Sequence, residues 1–353
     1  MPVTAGKFTA IVHTYFRPAL LQQALDALIR QTYSNMEIII IDDGATPETK
    51  DLLRKVESRD PRVRILPLAE NQFSLEDPHK IIAVGFNAAL NLATGDYIWY
   101  QADDDLIADD YAEKMVALFL GNRDCTTAAG ISLSIDIHGN VLEDPGKRNS
   151  NFRSRYMAGH ELALAVAHGQ RGCFSAPGNI FTIRRDALIQ AGGYHRCFEL
   201  SQLYGVVPFG VTGFDESAFF FWRRHEGQLN KQLAAYGWLG IDEQFSLLRD
   251  WEIERRWRNQ FGVDAAKAVV VAMNTQLCRS SATWCATNLV SLRPVAAWRI
   301  FHKIWRQPAF WRFLPRQFLA RSVRRSLDVV REAIPAPLRR ALKPLVRKVQ
   351  RKI

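Results

Sequence analysis

Three segments follow one another within the first 41 residues: a short apolar run from Thr9 to His13, apolar residues at helical spacing from Leu20 to Ile29, and Met36 to Ile41, which apart from Glu37 is apolar and reads as a fully buried strand. Pro18 suits the first turn of the intervening helix, where its missing N–H costs nothing. A buried strand needs cover on both faces, and a strand–helix–strand order supplies it. This constrains the chain to an α/β fold with a mixed, mainly parallel sheet flanked by helices. The alternation continues with a helix over Glu48–Arg59, a strand over Val63–Leu66, a helix over Lys80–Leu92, a strand over Tyr97–Tyr100 and a helix over Tyr111–Phe119. Ile131–Ile137 and Val141–Leu142 read as a hairpin-like element around His138, Gly139 and Asn140. Phe152–Gln170 reads as either helix or loop. A strand at Ile180–Ile183 precedes a helix over Arg184–Ala191, which Gly192 and Gly193 close by admitting left-handed backbone. An aromatic strand at Ala218–Trp222 comes next, then helices at Leu229–Tyr236, Asp242–Gln260 and Ala265–Leu277.

Two of the strands end in acids. Met36–Ile41 runs into Asp42, Asp43 and Gly44, and Tyr97–Tyr100 exits through Gln101 and Ala102 into Asp103, Asp104 and Asp105. Open α/β sheets bind ligands beyond the C-terminal ends of their strands, so these carboxylates are expected to converge. Three adjacent carboxylates repel one another, and a hard divalent cation with oxygen ligands is the simplest compensation. The alternative is a solvated acidic loop or a helix N-terminal cap, as at Asp109 and Asp110.

The net charge of +10 is unevenly spread. Residues 293–353 hold 17 Lys and Arg against Asp328 and Glu332, a net of +15, whereas the first 292 residues hold 29 bases and 34 acids. The body is mildly acidic, which argues against a nucleic-acid footprint over the whole protein. In the basic region Trp298, Phe301, Ile304 and Trp305 fall on one helical face beside Arg299, Lys303 and Arg306, and Pro308 and Pro315 are expected to break the segment. A second stripe runs through Leu338, Leu342, Leu345, Val346 and Val349, with Pro344 as a kink. Such stripes either lie on an anionic membrane or pack on the main body or a partner subunit; no nucleic-acid reading motif accompanies them.

The five cysteines, Cys125, Cys173, Cys197, Cys278 and Cys285, show no regular spacing, which fits a reducing compartment and structural roles. The N-terminus lacks a secretory layout, and no stretch reaches 18 uninterrupted apolar residues. A cytoplasmic protein is expected, peripheral on the inner face of the membrane if the basic region binds lipid.

Four ordered segments between Phe8 and Gly227 together resemble the inverting glycosyltransferases of family 2, which have the GT-A fold. They are AIVHTYFRPALLQQALDALIRQTYSNMEIIIIDDGA, FNAALNLATGDYIWYQADDD, GNIFTIRRDALIQAGGY and ESAFFFWRRHEG. The resemblance implies a catalytic domain over 1–237, with a nucleotide-binding part near 8–120 and an acceptor part near 121–237. A helical extension over 238–292 and the basic amphipathic region over 293–353 complete the chain. It implies a nucleotide-sugar donor, UDP-linked first and dTDP- or GDP-linked as alternatives, a carbohydrate or glycolipid acceptor in bacterial surface polysaccharide synthesis, Mn²⁺ or Mg²⁺, and a homo-oligomer as one assembly state. A noncatalytic sugar-binding scaffold and a nucleotidyltransferase with a related metal cleft are the rival classes.

Carried over residue by residue, the resemblance places His13, Thr14 and Tyr15 along the nucleotide pocket, with Tyr15 packing on the base. Asp42 and Asp43 contact base or ribose, Asp103 the ribose and Asp104 the metal, while Asp105 ligates indirectly or orients a metal-bound water. Ala102 stands where the common motif has an acid, and Phe86 where many relatives have Arg. Asn87 either anchors the acidic loops or caps and packs its own helix. Gly95 serves the tight turn before its strand rather than a phosphate. Glu199 takes the place of the catalytic base, with Asp215 and Glu216 as alternates. Arg223, Arg224 and His225 approach the diphosphate, His225 alternatively completing the metal shell, or else they cover a sheet edge. Trp222 and its neighbouring phenylalanines read as core more than as a sugar platform.

Overall fold

The computed structural model describes residues 6–142, 155–168 and 181–333. Cys173, the start of the acceptor-side segment at Gly178 and the stripe from Leu338 to Val349 lie outside the described residues. The chain divides into two compact units, one of residues Met1–Glu226 with Glu243–Val270, the other of Gly227–Asp242 with Val271–Ile353.

Among the described residues the first unit is built on a nine-stranded sheet. Its strands are β1 (Phe8–Thr14), β2 (Met36–Asp42), β3 (Val63–Pro67), β4 (Tyr97–Ala102), β5 (Leu106–Ile107), β6 (Cys125–Ile135), β7 (Tyr156–Ala158), β8 (Thr182–Arg184) and β9 (Val211–Arg223). They are ordered β3-β2-β1-β4-β8-β6-β9-β5, and β7 pairs with β9. β3, β2, β1 and β4 are parallel neighbours, and β8 joins β4 to β6 by antiparallel pairing. The helices that cover it are α1 (Pro18–Ile29), α2 (Pro47–Arg59), α3 (Asn87–Leu92), α4 (Tyr111–Gly121), α5 (Gly159–Ala167), α6 (Arg185–Ala191) and α7 (Phe198–Gly205).

Period-two alternation explains the double cover. Phe8, Ala10 and Val12 of β1 and Met36, Ile38 and Ile40 of β2 enter one core with Leu21, Leu25 and Trp99. Ile11, Ile39 and Ile41 enter the other, with Phe86, Leu90 and Phe198. The predicted mixed, mainly parallel sheet flanked by helices, with a helical C-terminal extension, is therefore the observed fold.

Several elements differ from expectation. The helix expected from Lys80 opens as a π-helical turn at Ile82–Phe86 before α3. The hairpin-like turn around His138–Asn140 is present, with Ile135 and Val141 bridged antiparallel across it, but β6 begins earlier, at Cys125, and pairs in parallel with β9. β9 starts seven residues before Ala218, because a register shift between Ala129 and Ile131 lets it follow β6 past the polar Asp215 and Glu216. The helix expected over Asp242–Gln260 is two, α9 (Ile241–Asp250) and α10 (Ile253–Phe261), separated at Glu252 with φ of 47°. Within the first unit Trp257 Nε1 donates to Tyr204 O at 2.9 Å, fixing α10 against α7.

Gly95 and Gly192 have the backbone roles expected of them. A Cβ at Gly95 would collide with Thr9 Oγ1 and Lys7 O, while Gly192 closes α6 at φ of 107°. The second unit contains α8 (Leu229–Tyr236), α12 (Pro294–Ile304) and α13 (Pro308–Ala333), and α11 (Val263–Val290) begins in the first unit and ends in the second. The segment breaks ahead of Pro308, which starts α13, as predicted, whereas Pro315 lies inside α13 and does not break it. At a helix's first position proline lacks only an N–H that would have no intrahelical partner. Among the described residues no helix is long and apolar enough to cross a membrane.

His79 gives the first unit a pH dependence. Its Nδ1 lies 2.8 Å from Arg196 O, and burial pushes its pKa down to about 4. The unfolded chain therefore binds this proton more readily between about pH 6.5 and 4, so stability falls as pH drops through that window. Two and a half pH units correspond to about 3 kcal/mol. Urea unfolding from pH 7.5 to 4 is expected to show a loss of that order in wild type, substantially reduced in His79→Gln.

Candidate active site

The C-terminal ends of β1, β2 and β4 lie side by side, with Thr14 opposite Asp42 and His13 opposite Ala102. The acids that follow β2 and β4 therefore meet across the end of β1, as expected for the mouth of such a sheet.

The first acidic turn is internally satisfied. Asp42 Oδ1 accepts from Ala45 N at 2.6 Å, and Gly44 adopts φ of 65°. Asp43 is fully buried; its carboxylate accepts from Gln72 N at 2.7 Å and Asn71 Nδ2 at 3.2 Å, and lies 3.1 Å from His13 Nε2. His13 and Asp43 thus form a pair, and Tyr15 stands half-buried just beyond them. Asn71 and Gln72, in the loop after β3, hold this turn in place.

The second turn buries three consecutive carboxylates, Asp103, Asp104 and Asp105, each at most 8% exposed. Burial, with Asp104's charge adding and Arg17 and Thr14 opposing, holds the Asp103 carboxyl above its ordinary range. Burial and the Asp104 charge push Asp105 well above it, against a hydrogen bond from the Arg223 backbone. Their main cationic partner is Arg17, absent from the sequence-derived site. Its guanidinium donates to Asp104 Oδ2 at 2.5 Å and, through Nη2, to Asp103 Oδ1. Burial lowers the Arg17 pKa, but Asp103 and Asp104 outweigh this and the net shift is upward, so the guanidinium stays charged. Thr14 Oγ1 donates to Asp103 Oδ2 at 3.0 Å, and His225 Nε2 lies 2.9 Å from Asp104 Oδ2.

The three basic-motif residues take different places. Arg223 is fully buried: its backbone N donates to Asp105 Oδ1, Nε to Asp104 O, Nη1 to Asp136 O and Ile137 O, and Nη2 to Gln23 Oε1. It ties β9 to the second acidic turn and to α1. Arg224 is exposed; Nε donates to Ser134 Oγ at 3.1 Å and the guanidinium lies 4.4 Å from the Trp222 ring centre. Only His225 reaches the carboxylates by its side chain.

Beneath the mouth lies an aromatic cluster. Phe86 packs 4.5 Å from Tyr100, 5.6 Å from both Tyr194 and Phe198, and 6.1 Å from His13, so the position where an Arg was expected supports the pocket floor. Asn87 accepts from Tyr194 N at 2.7 Å and donates to Tyr194 O at 2.9 Å and Ala83 O at 3.2 Å. Of its two readings, the bonds describe the packing one, a staple from its helix to the segment after Gly193.

Phe198 opens α7, and exposed Glu199 is the next residue, on the rim of the aromatic floor. Asp215 bonds to Ser217 early on β9, and it and Glu216 fall in the stretch where β9 shifts register against β6, eight and seven residues before Arg223. The Cys197 thiol is pushed up by burial and by the Glu199 and Glu243 charges, and burial raises Cys125 to about 11 and Cys285 to about 12, as suits structural thiols.

A divalent cation fits this geometry in one particular way. Asp104 Oδ2 and His225 Nε2, 2.9 Å apart, have the spacing of adjacent ligands on one ion with bonds of about 2.1 Å. No group of three His, Cys, Asp or Glu side chains forms a ligand cage among the described residues. Sites with few protein ligands are usual where substrate phosphates complete the shell.

Residues 9–169 match the family model for glycosyl transferase family 2. An uncharacterized glycosyltransferase of Haemophilus influenzae is 30% identical over 133 residues, 38% of this chain and 50% of that protein. The putative teichuronic acid biosynthesis glycosyltransferase TuaG of Bacillus subtilis is 29% identical over 117 residues, 33% of this chain and 43% of that protein. Both matches span half of the relative's length or less. The S. aureus TarS 1–349 structure in complex with UDP superposes with a TM-score of 0.55 at 12% identity, covering 91% of this chain and 92% of that one, a likeness of fold. The fold is thus of the GT-A type, and residues 9–169 are similar to glycosyl transferase family 2.

Removing the Arg223 side chain strands the buried Asp104 carbonyl and the part-buried acceptors of Asp136, Ile137 and Gln23. Arg223→Ala is expected to cost about 3–5 kcal/mol, read from urea midpoints, whereas the exposed Arg224→Ala should cost under about 1 kcal/mol.

Proposed function

We propose that the protein transfers a sugar from a nucleotide-sugar, UDP-linked in the first instance, to a carbohydrate or glycolipid acceptor of a bacterial surface polysaccharide, with inversion at the sugar C1, and that it does so in the cytoplasm. The observation that carries this reading is the meeting of the two acidic turns at the sheet mouth, with Arg17 and His225 both on Asp104. The family match and a relative named for teichuronic acid biosynthesis support the chemical class.

In this reading His13, Thr14, Tyr15 and the Asp42–Asp43 turn bind the nucleoside, with Asp103 on the ribose. Asp104 and His225 hold Mn²⁺ or Mg²⁺, with Asp105 orienting from behind; the ion, when bound, neutralises charge on the diphosphate. Arg17 lies where it can turn from the carboxylates to the phosphates, adding a preorganised cation beside the leaving oxygen. Arg223 acts by position, fixing the acidic turn through the Asp104 carbonyl and the Asp105 carboxylate, and Arg224 borders the acceptor side with Trp222. Glu199 takes the proton of the acceptor hydroxyl as its oxygen bonds to C1, and the C1–oxygen bond to the diphosphate breaks with its electron pair leaving on the nucleoside diphosphate.

A panel of nucleotide-sugars and acceptors, followed by mass spectrometry and detection of released nucleoside diphosphate, tests the reading. Asp104→Asn and Glu199→Gln are each expected to lower kcat by about 10²–10⁴-fold with the fold intact by circular dichroism. Full activity of Asp104→Asn would remove the metal role. Pyrophosphate release from a nucleoside triphosphate would identify a nucleotidyltransferase, and sugar binding without turnover would identify a scaffold.

A further inference from the structure

The second unit carries an apolar surface that its own packing leaves uncovered. The sequence places Trp298, Phe301, Ile304 and Trp305 on one face of α12, but the structure divides them. Ile300 and Ile304 turn inward with Ala296, Ala297 and Phe310, all at most 5% exposed. Trp298 turns outward at 61%, in line with Val295 at 63% and followed by Trp305 at 44%. α12 is therefore apolar on two sides, and the inner side alone satisfies the core.

α13 extends the outer side. Trp311, 49% exposed, donates Nε1–H to Trp305 O at 2.8 Å and packs edge-on to Phe301 at 5.7 Å, while Phe301 lies 5.7 Å from Trp298. One aromatic ridge thus crosses the α12–α13 corner and continues toward exposed Phe318 and Leu319. These contacts hold the tryptophans in fixed positions while leaving much of their surface open to solvent.

The charges beside the ridge all have one sign. Residues 293–322 contain no Asp or Glu. Arg299 and Lys303 are engaged within the unit, by Tyr236 O and Asp242. Arg293, Arg306, Arg312 and Arg316 are exposed and have no carboxylate partner among the described residues. Arg306 lies 5.2 Å from the Trp305 ring centre, placing a guanidinium at the edge of the ridge.

We propose that this ridge is a docking surface for an anionic lipid bilayer, with Trp298, Trp305 and Trp311 at the headgroup level and Arg306, Arg312 and Arg316 on lipid phosphates. Amphipathic tryptophan side chains settle at that depth, and each base near the surface adds about 1 kcal/mol at most. Charge complementarity selects this occupant. Residues 334–353 hold seven Lys and Arg and no acid, so neither their sequence nor the same face of a second copy offers the complementary charge. The proposal goes beyond the catalytic reading and does not depend on it.

The test is co-sedimentation of the full chain with phosphatidylcholine vesicles and with vesicles of 70% phosphatidylcholine and 30% phosphatidylglycerol, order-of-magnitude proportions that give a strongly anionic surface. Wild type is compared with Trp298→Ser/Trp311→Ser and with Arg306→Ser/Arg312→Ser/Arg316→Ser, each checked by circular dichroism. The expected result is binding to the anionic vesicles alone, weakened at least about tenfold in both variants, and by salt in wild type. Equal binding to neutral vesicles, or wild-type binding by both variants, would overturn the proposal. So would unchanged vesicle binding with a lower mass by light scattering in the tryptophan variant, which would make the ridge an interface between copies. The arginine variant keeps the test decisive should the tryptophan variant fail to fold.

Discussion

Three consecutive carboxylates buried at the end of one strand are the constraint around which the first unit is arranged. Held together without compensation they would repel each other strongly, and burial already raises the pKa of Asp103 and Asp105. The compensation comes from distant parts of the chain: Arg17 just before α1, Thr14 at the end of β1, Arg223 at the end of β9 and His225 just beyond. Arg223 also bonds to the Asp104 carbonyl and to Gln23 of α1. The second acidic turn is thereby the point at which the ends of β1, β4 and β9 and the start of α1 are bonded together.

The same logic extends below the turn. Phe86, Tyr100, Tyr194 and Phe198 form a floor that leads from His13 to the first residue of α7. Asn87 fixes one side of that floor by bonding to both backbone groups of Tyr194, and Gly193, at φ of 83°, leaves room for the Asn87 carbonyl. Glu199 inherits its place from this packing. Its proposed role as the base rests on that position, with Asp215 and Glu216 lying seven or more residues before Arg223 on β9.

Much of this was legible in the residues, because it depends on local patterns. The Met36–Ile41 segment, apolar but for Glu37, demands a strand covered on both faces, and the acids that end it and its neighbour mark the mouth. What pairs with those acids was not legible. Arg17 sits in a helix-starting HTYFRPA segment, where a cation reads as solvated, and only the β1–β4 register brings it to residues 86 and 87 positions away. Asn71 and Gln72 act through one side chain and one backbone N–H, for which a loop sequence carries no signature. The parallel pairing of β6 with β9 is a long-range choice. The division of Trp298 from Ile304 depended on which side of α12 meets its neighbours, a matter a helical wheel leaves open.

The account centres on the acidic turn as a cation site in which Arg17 balances the carboxylates until substrate phosphates arrive. Titration of Mn²⁺, followed by electron paramagnetic resonance with and without UDP, tests this most directly. The account predicts weak binding to the wild-type protein alone, binding at least about tenfold tighter with UDP or in Arg17→Gln, and loss of both gains in Asp104→Asn. Wild-type Mn²⁺ affinity in Asp104→Asn, together with no change in Arg17→Gln, would contradict it.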